Sequence, residues 1–353
     1  MPKRIVEYIK ELSPLFGPST QEIEVQRWLY EHLRNYMDVR GDALGNLWTS
    51  PKGNSGITCA IVGHADEIGI QITRLEEPGI ARFRKIGALR ASSLIGQRIR
   101  FKNRNGEEIV GIIGSDPMQD NGTDAGLLIK TSELWIDIGA SSIKDFKRRL
   151  DVGDFGVFHT DGIVMLSENR ICGKALDDRS GLAVALETFH EARTMRGIDA
   201  MLVSTVQEEL NLYGAKALPV DADVAIVIDV DFCSDTPSAI ESTTSLGLGK
   251  GVGICVSADS SPILLEMARK ISTEQRIPLQ ITLGRNFSGG TDAAALRLKK
   301  ATATITIGIP LRYMHTACEI IDIADLVYAR HMTLELLKQI ALLKSKTDLI
   351  PWK

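Results

Sequence analysis

Four runs that are apolar on both faces, set among amphipathic segments, constrain the fold of this chain more than any other feature. They are GITCAIVGH (56–64), AMLVSTVQ (200–207), VAIVIDV (224–230) and ATATITIGI (301–309). Helical patterns recur between and after them: SGLAVALETFHEART (180–194), SPILLEMARKISTEQ (261–275) and IADLVYARHMTLELLKQIALL (323–343). Strands that bury both faces need helices on each side, which predicts an α/β fold built on a mostly parallel sheet. Nearer the N-terminus, Ile5, Tyr8, Ile9 and Leu12 keep helical spacing. Ser19 and Glu22 read as a capping box for a second helix carrying Val25, Trp28, Leu29 and Leu33. LGNLWTSP (44–51) is expected to pair with GITCAIVGH around the KGNSG turn.

Between these segments the texture changes. IARFRKIGAL, IGQRIRFKN, EEIVGIIGS, LWIDIG and FGVFHTDG are short β-type runs split by Gly, Asn and Asp, with SSIKDFKRRL the one helical pattern among them. The chain therefore divides into a discontinuous α/β unit, 1–69 and 165–353, and an inserted small β domain, 70–164. Its net charge of −4 gives no basic face for nucleic acid or an anionic membrane. The N-terminus lacks the apolar core of a signal peptide, and no stretch approaches the roughly 18 apolar residues of a membrane span. Cys59, Cys172, Cys233, Cys255 and Cys318 are scattered with no CxxC pair, so they read as small buried hydrophobes in a reducing, cytoplasmic setting.

Ligands of an open α/β sheet bind beyond the carboxyl ends of its strands. Those ends carry His64 and Asp66, Asp177 and Asp178, Glu208 and Glu209, Asp229, and His315. Each alone has a plain reading as a loop histidine, helix cap or turn former. Five such clusters at equivalent places point to one cause. Histidines plus carboxylates without thiolate suit zinc, cobalt or manganese. Two histidines and three carboxylates would serve as ligands, one carboxylate bridging two ions about 3.5–4 Å apart. Asp66, two residues beyond His64 on an extended strand, is placed to hold that ring's other nitrogen. One member of the Glu208–Glu209 pair then remains as a base.

GHADEIG, GKALDDRSG, TVQEE, AIVIDV, GGTDAAAL and RYMHTACEIID resemble, in order and spacing, the tetrahedral (TET-type) dinuclear metallo-aminopeptidases, which include glutamyl and deblocking aminopeptidases and are related to the zinc exopeptidases. The resemblance covers nearly the whole chain. It implies a zinc-exopeptidase-like sheet flanked by helices, with SLIGQRIRF and LWIDIGA in an inserted β-barrel or PDZ-like dimerisation domain. It assigns one metal to His64 and Asp229 and the other to Glu209 and His315, with Asp177 as bridge, Glu208 as general base, and a cis peptide at Asp177–Asp178. It further implies two divalent ions per subunit, short peptide substrates, and dimers that assemble into a dodecamer.

Two departures bear on substrate preference: Asn211 and Tyr213 stand where the family carries Gly and Arg, and Phe287 and Ser288 precede the Gly-rich loop. Arg285, Phe287, Arg312, Tyr313 and Tyr213 are the candidate pocket residues. Leu94, Ile95, Ile99 and Phe101 are expected as apolar surface of the insert, available for pairing protomers. GLGKGVG (247–253) reads as a turn. SGGTDA (288–293) reads as a strand-to-helix turn capped by Thr291 or Asp292, or as a pocket wall. His32, His159, His190 and His331 are assigned to surface or packing. Alternative readings are an N-acyl amino-acid deacylase on the same metal site, with Arg285 or Arg312 holding a substrate carboxylate, and a non-catalytic assembly protein.

Overall fold

The computed structural model describes residues 2–51, 53, 56–115, 129–237, 246–283 and 288–353. Helices α1 (Pro2–Leu12) and α2 (Ile23–Leu33) lead into β1 (Val39–Gly41), β2 (Leu47–Thr49) and β3 (Ile57–His64). The next six strands are β4 (Gly69–Glu76), β5 (Ile80–Ile86), β6 (Arg98–Lys102), β7 (Glu108–Gly114), β8 (Trp135–Asp137) and β9 (Phe155–Phe158), with the short helix α3 (Ile143–Phe146) before the last. They close a barrel in the order β4-β5-β8-β7-β6-β9. The chain returns through β10 (Val164–Met165) and β11 (Arg170–Gly173) into α4 (Leu176–Ala192), β12 (Ile198–Thr205), α5 (Tyr213–Ala217) and β13 (Val224–Phe232). After these come β14 (Val252–Val256), α6 (Pro262–Gln275), β15 (Leu279–Leu283), α7 (Asp292–Leu296), β16 (Ala303–Leu311), β17 (Glu319–Asp322) and α8 (Ile323–Ile340).

The main sheet has the order β1-β2-β12-β3-β13-β16-β14-β15. Its centre, β12-β3-β13-β16, is parallel, and β2 and β14 join it antiparallel. Strand alternation explains the two apolar faces. Cys59 and Ile61 of β3 and Ile226 and Ile228 of β13 pack with α1, α4, α6 and α8 in one layer. Ala60, Val62, Ala225 and Val227 face α5 and α7 in the other. No helix among the described residues is long and apolar enough to cross a membrane.

Four local expectations are corrected. β2 and β3 are not neighbours, because β12 lies between them and β2 pairs with it through Val203–Trp48. The capping box at α2 is not formed: the Ser19 hydroxyl donates to Asp66 Oδ2 at 2.6 Å, and Glu22 Oε1 accepts from Thr20 N and Gln207 N. Leu94, Ile99 and Phe101 fill the barrel interior, while Ile95, Val110 and Ile112 are the exposed apolar side chains near them. Cys59 and Cys255 are buried, Cys172 and Cys233 are half-buried, and Cys318 is exposed. The GLGKGVG turn folds around Asp325, whose carboxylate accepts from Gly249 N and Gly251 N and so occupies the amides a phosphate would need.

Candidate metal centre

The carboxyl ends of β3, β12, β13 and β16 lie side by side, since these strands are parallel and neighbouring. Each delivers its polar residue to the same edge. β3 ends in His64, β12 runs into Glu208 and Glu209, β13 carries Asp229, and the turn beyond β16 presents His315. Asp177 arrives from the start of α4, where Asp177 and Asp178 have non-helical dihedrals and the peptide bond between them is cis.

Two groups of potential metal donors result, His64–Asp177–Asp229 and Asp177–Glu209–His315, and the atoms within each lie within 4.8 Å of one another. Asp177 belongs to both. Its Oδ1 lies 3.1 Å from His64 Nε2 and its Oδ2 lies 3.2 Å from His315 Nε2. His315 Nε2 is also 3.1 Å from Glu209 Oε1, and His64 Nε2 is 3.9 Å from Asp229 Oδ1. Glu209 Oε1 is buried and lacks an aligned hydrogen-bond donor despite that proximity. Carboxylate oxygens and ring nitrogens that converge on one place, with Glu209 Oε1 left without a donor, are arranged as ligands around a common centre, so this donor set fits divalent ions.

Asp66, fully buried, faces the other nitrogen of His64, with Oδ1 3.3 Å from Nδ1. It also accepts from Glu208 N at 3.0 Å and Glu209 N at 3.1 Å, so one carboxylate fixes a ring and the backbone of the glutamate pair. Asp178 turns away from the donor groups and accepts from His64 N and Gly181 N.

A model of the M42 glutamyl aminopeptidase family matches residues 45–332. The chain belongs to this family. It is 31% identical over 294 residues to a lysyl aminopeptidase of Pyrococcus furiosus, covering 82% of this chain and 83% of that one. An aminopeptidase of the archaeon Desulfurococcus kamchatkensis superposes with a TM-score of 0.86 at 34% identity, covering 96% of this chain and 95% of that one. The TET1 peptidase of Pyrococcus horikoshii, described as assembling into a tetrahedron or a large octahedral shell, superposes at 0.82 with 27% identity, covering 94% of this chain and 99% of that one.

In this M42 aminopeptidase the site is strongly anionic and buried, and its proton affinities follow from that. Burial, reinforced by neighbouring carboxylates, pushes Glu208 well above the usual range and Asp229 up to about 8. Burial opposes the charged form of both histidines, yet carboxylate contacts prevail. Asp177 and Asp66 raise His64, and Asp177 with Glu209 raises His315 to about 11. Such an arrangement binds cations, whether protons or metal ions.

Several residues around the site were given no role there by the sequence. Glu22 reaches Gln207 N, holding a residue with φ of 55° just ahead of the glutamate pair. Asp292 is buried, accepts from the Thr205 hydroxyl, and is raised to about 6 by burial. Thr291, not Asp292, caps α7. The barrel also contributes: Ala88 O lies 3.3 Å from His315 Nδ1, and a Cβ on Gly87 would stand 2.9 Å from Glu209 Oε2. Glu67, the last acid of GHADE, is no ligand. It is buried against Lys174 Nζ at 2.6 Å and Arg179 at 3.5 Å, both from GKALDDRSG. Arg312 is committed to Asp235 through bonds of 2.8 and 2.7 Å, so it is not free for a substrate carboxylate. Tyr213 and Tyr313 are exposed, and Arg285 and Phe287 lie outside the described residues.

Proposed function

We propose that this aminopeptidase holds two divalent ions, one on His64 and Asp229 and the other on Glu209 and His315, with Asp177 between them, and removes N-terminal residues from short peptides. The observation that carries the reading is the Asp177 carboxylate, whose two oxygens each face a different histidine. When bound, such ions supply Lewis acidity at the scissile carbonyl and lower the pKa of water towards neutrality. Zinc, cobalt and manganese all suit the donor set.

The residues around the ions have separable tasks. Glu208 takes a proton from the attacking water and passes it to the leaving amine. Asp66 fixes the His64 ring and, through the two backbone amides, the directions in which Glu208 and Glu209 leave the chain. The surplus of carboxylates attracts the free α-ammonium group of a peptide.

The proposal includes assembly. On the sequence resemblance, the barrel pairs protomers into dimers and six dimers close a hollow dodecamer that admits only short, unfolded chains; the Pyrococcus horikoshii peptidase is described as assembling into a tetrahedron or a large octahedral shell. Ile95, Val110 and Ile112 on the barrel exterior offer apolar surface for such contacts. A monodisperse monomer in light scattering would refute it. A reducing, cytoplasmic setting accords with the free cysteines.

Elemental analysis combined with a free-amine peptide assay tests the metal reading. The purified enzyme should contain two equivalents per chain and lose activity on exhaustive chelation. Zinc, cobalt or manganese should restore it. Activity that persists in protein shown to be metal-free would overturn the reading.

A further inference from the structure

Glu319 opens β17 and lies four residues beyond His315. It is 1% exposed and belongs to neither group of donors. Oε1 accepts from His315 N at 2.8 Å, and Oε2 accepts from Asp177 N at 3.1 Å. One side chain therefore ties together the backbones of two residues that arrive from opposite ends of the α/β unit.

The topology places it there. Arg312 and Ile320 exchange both backbone hydrogen bonds, at 3.0 and 3.1 Å, so the chain between them is a closed loop with Glu319 at its neck. β17 pairs with β11, where Glu319 stands opposite Gly173, and β11 runs directly into the turn that presents Asp177. Both clamped amides are of a kind that regular structure leaves unsatisfied. His315 is left-handed at φ 63°, and Asp177 breaks the start of α4 with φ −80° and ψ 107°. A buried N–H without a partner costs about 1–3 kcal/mol, and here two such groups share one acceptor.

We infer that Glu319 is a positioning residue that sets the separation of Asp177 and His315 and thereby forms the metal site shared by Asp177, Glu209 and His315. The inference rests on the two-metal reading. Only a carboxylate can do this with both oxygens. An amide of the same size keeps one acceptor and turns an NH₂ group towards the other N–H donor. The site of His64 and Asp229 depends on the clamp through Asp177 alone, because His64 ends its own strand beside Asp66, whereas the other site takes two clamped residues, Asp177 and His315.

Glu319→Gln separates these roles. In the purified full-length enzyme, the variant should keep one tightly bound metal per chain and bind the second 10–100-fold more weakly, the usual effect of removing a partner that orients a ligand. Its kcat should fall in step, KM should change less than threefold, and excess metal should restore part of kcat. A role limited to stability predicts a lower melting temperature with two metals and normal kcat in the folded fraction, which would overturn the inference. If the Gln variant does not fold, Glu319→Asp keeps the charge but is too short to reach both amides. It should show the same selective loss of the second metal, and retention of both metals at wild-type affinity would count equally against the clamp. The wild-type enzyme, measured alongside, distinguishes this failure from that of the parent reading, which falls only if the wild type itself lacks two metals or works without them.

Discussion

The barrel and the carboxyl edge of the main sheet are both densely packed, but they bury opposite kinds of side chain. In the barrel core, Phe101, Phe146, Ile136 and Leu134 pack into one cluster of buried apolar side chains. At the sheet edge, His64, Asp66, Glu67, Asp177, Asp178, Asp229 and Glu319 are all buried within a few residues of strand ends. Burying ions costs several kcal/mol apiece unless they are paired. Glu67 is paired by Lys174 and Arg179. The donor groups around Asp177 have two histidines and no lysine or arginine within ion-pair reach among the described residues. The comparison teaches that charge compensation at this edge is divided: the protein neutralises the supporting layer itself, and on the two-metal reading the inner layer is left to cations.

The sharpest way to break this contrast is to change the inner carboxylate that the proposal assigns as base and not as ligand. Glu208→Gln should retain both metals and its melting temperature while kcat falls about 10²–10⁴-fold, the usual worth of general acid–base catalysis. A fully active variant would overturn the mechanism, and a metal-depleted one would exchange the roles of Glu208 and Glu209. Next in size is the supporting layer. Lys174→Met leaves Glu67 with Arg179 alone and should cost about 3–5 kcal/mol in denaturant unfolding, whereas a surface pair would cost under about 1 kcal/mol. In the barrel, Phe101→Ala should cost a similar 3–5 kcal/mol through the cavity it opens, with kcat unchanged in the folded fraction. Equal loss of kcat and stability would show that the barrel core and the site are not separate units.

A smaller effect tests a place where the two regions touch. Gly87 has φ of 75°, and a Cβ there would meet Ile68 at 2.6 Å and Glu209 Oε2 at 2.9 Å. Gly87→Ala, although a barrel substitution, should lower kcat by about tenfold through displacement of Glu209. An unchanged kcat would confine the barrel to assembly.

The smallest expected change is a pH trend. In metal-free protein Asp229 and Glu319 are pushed up to about 8, and His315 to about 11, Asp229 and Glu319 by burial and His315 by its carboxylate neighbours despite burial. All three are raised above their unfolded values of about 4 and 6.5, so their contribution to stability is full below those values and is lost as pH rises through 8 and beyond. The melting temperature of the metal-free protein should therefore fall between pH 6 and pH 9, and the gain on adding zinc should widen over the same interval. A gain that narrows would contradict the electrostatic account.

Much of this was legible in the sequence, for identifiable reasons. Strands buried on both faces forced the parallel sheet, and the end of a parallel strand is where an ionisable residue has a use, so His64, Asp177, Asp229 and His315 declared themselves. Residues that act on backbone amides did not. Glu319 lies in RYMHTACEIID, Glu22 reads as a helix cap and Asp178 as a strand-end acid, and their actual roles stay hidden until the backbone amides they serve are known. Pairing across the sheet was also hidden, since β2 precedes β3 by a short connection yet bonds to β12, about 150 residues away. In the barrel the information was present: Arg98, Ile99, Arg100 and Phe101 alternate, and period 2 turns Ile99 and Phe101 inward together, leaving them no surface role.

The central claim, that Asp177 is shared between two cation sites, is tested most directly by calorimetric titration of metal-free enzyme with zinc, wild type against Asp177→Asn. The account predicts two binding events in the wild type and weakening of both in the variant, because each site loses a charged ligand. Two unaltered sites in Asp177→Asn, or a single site in the wild type, would contradict it.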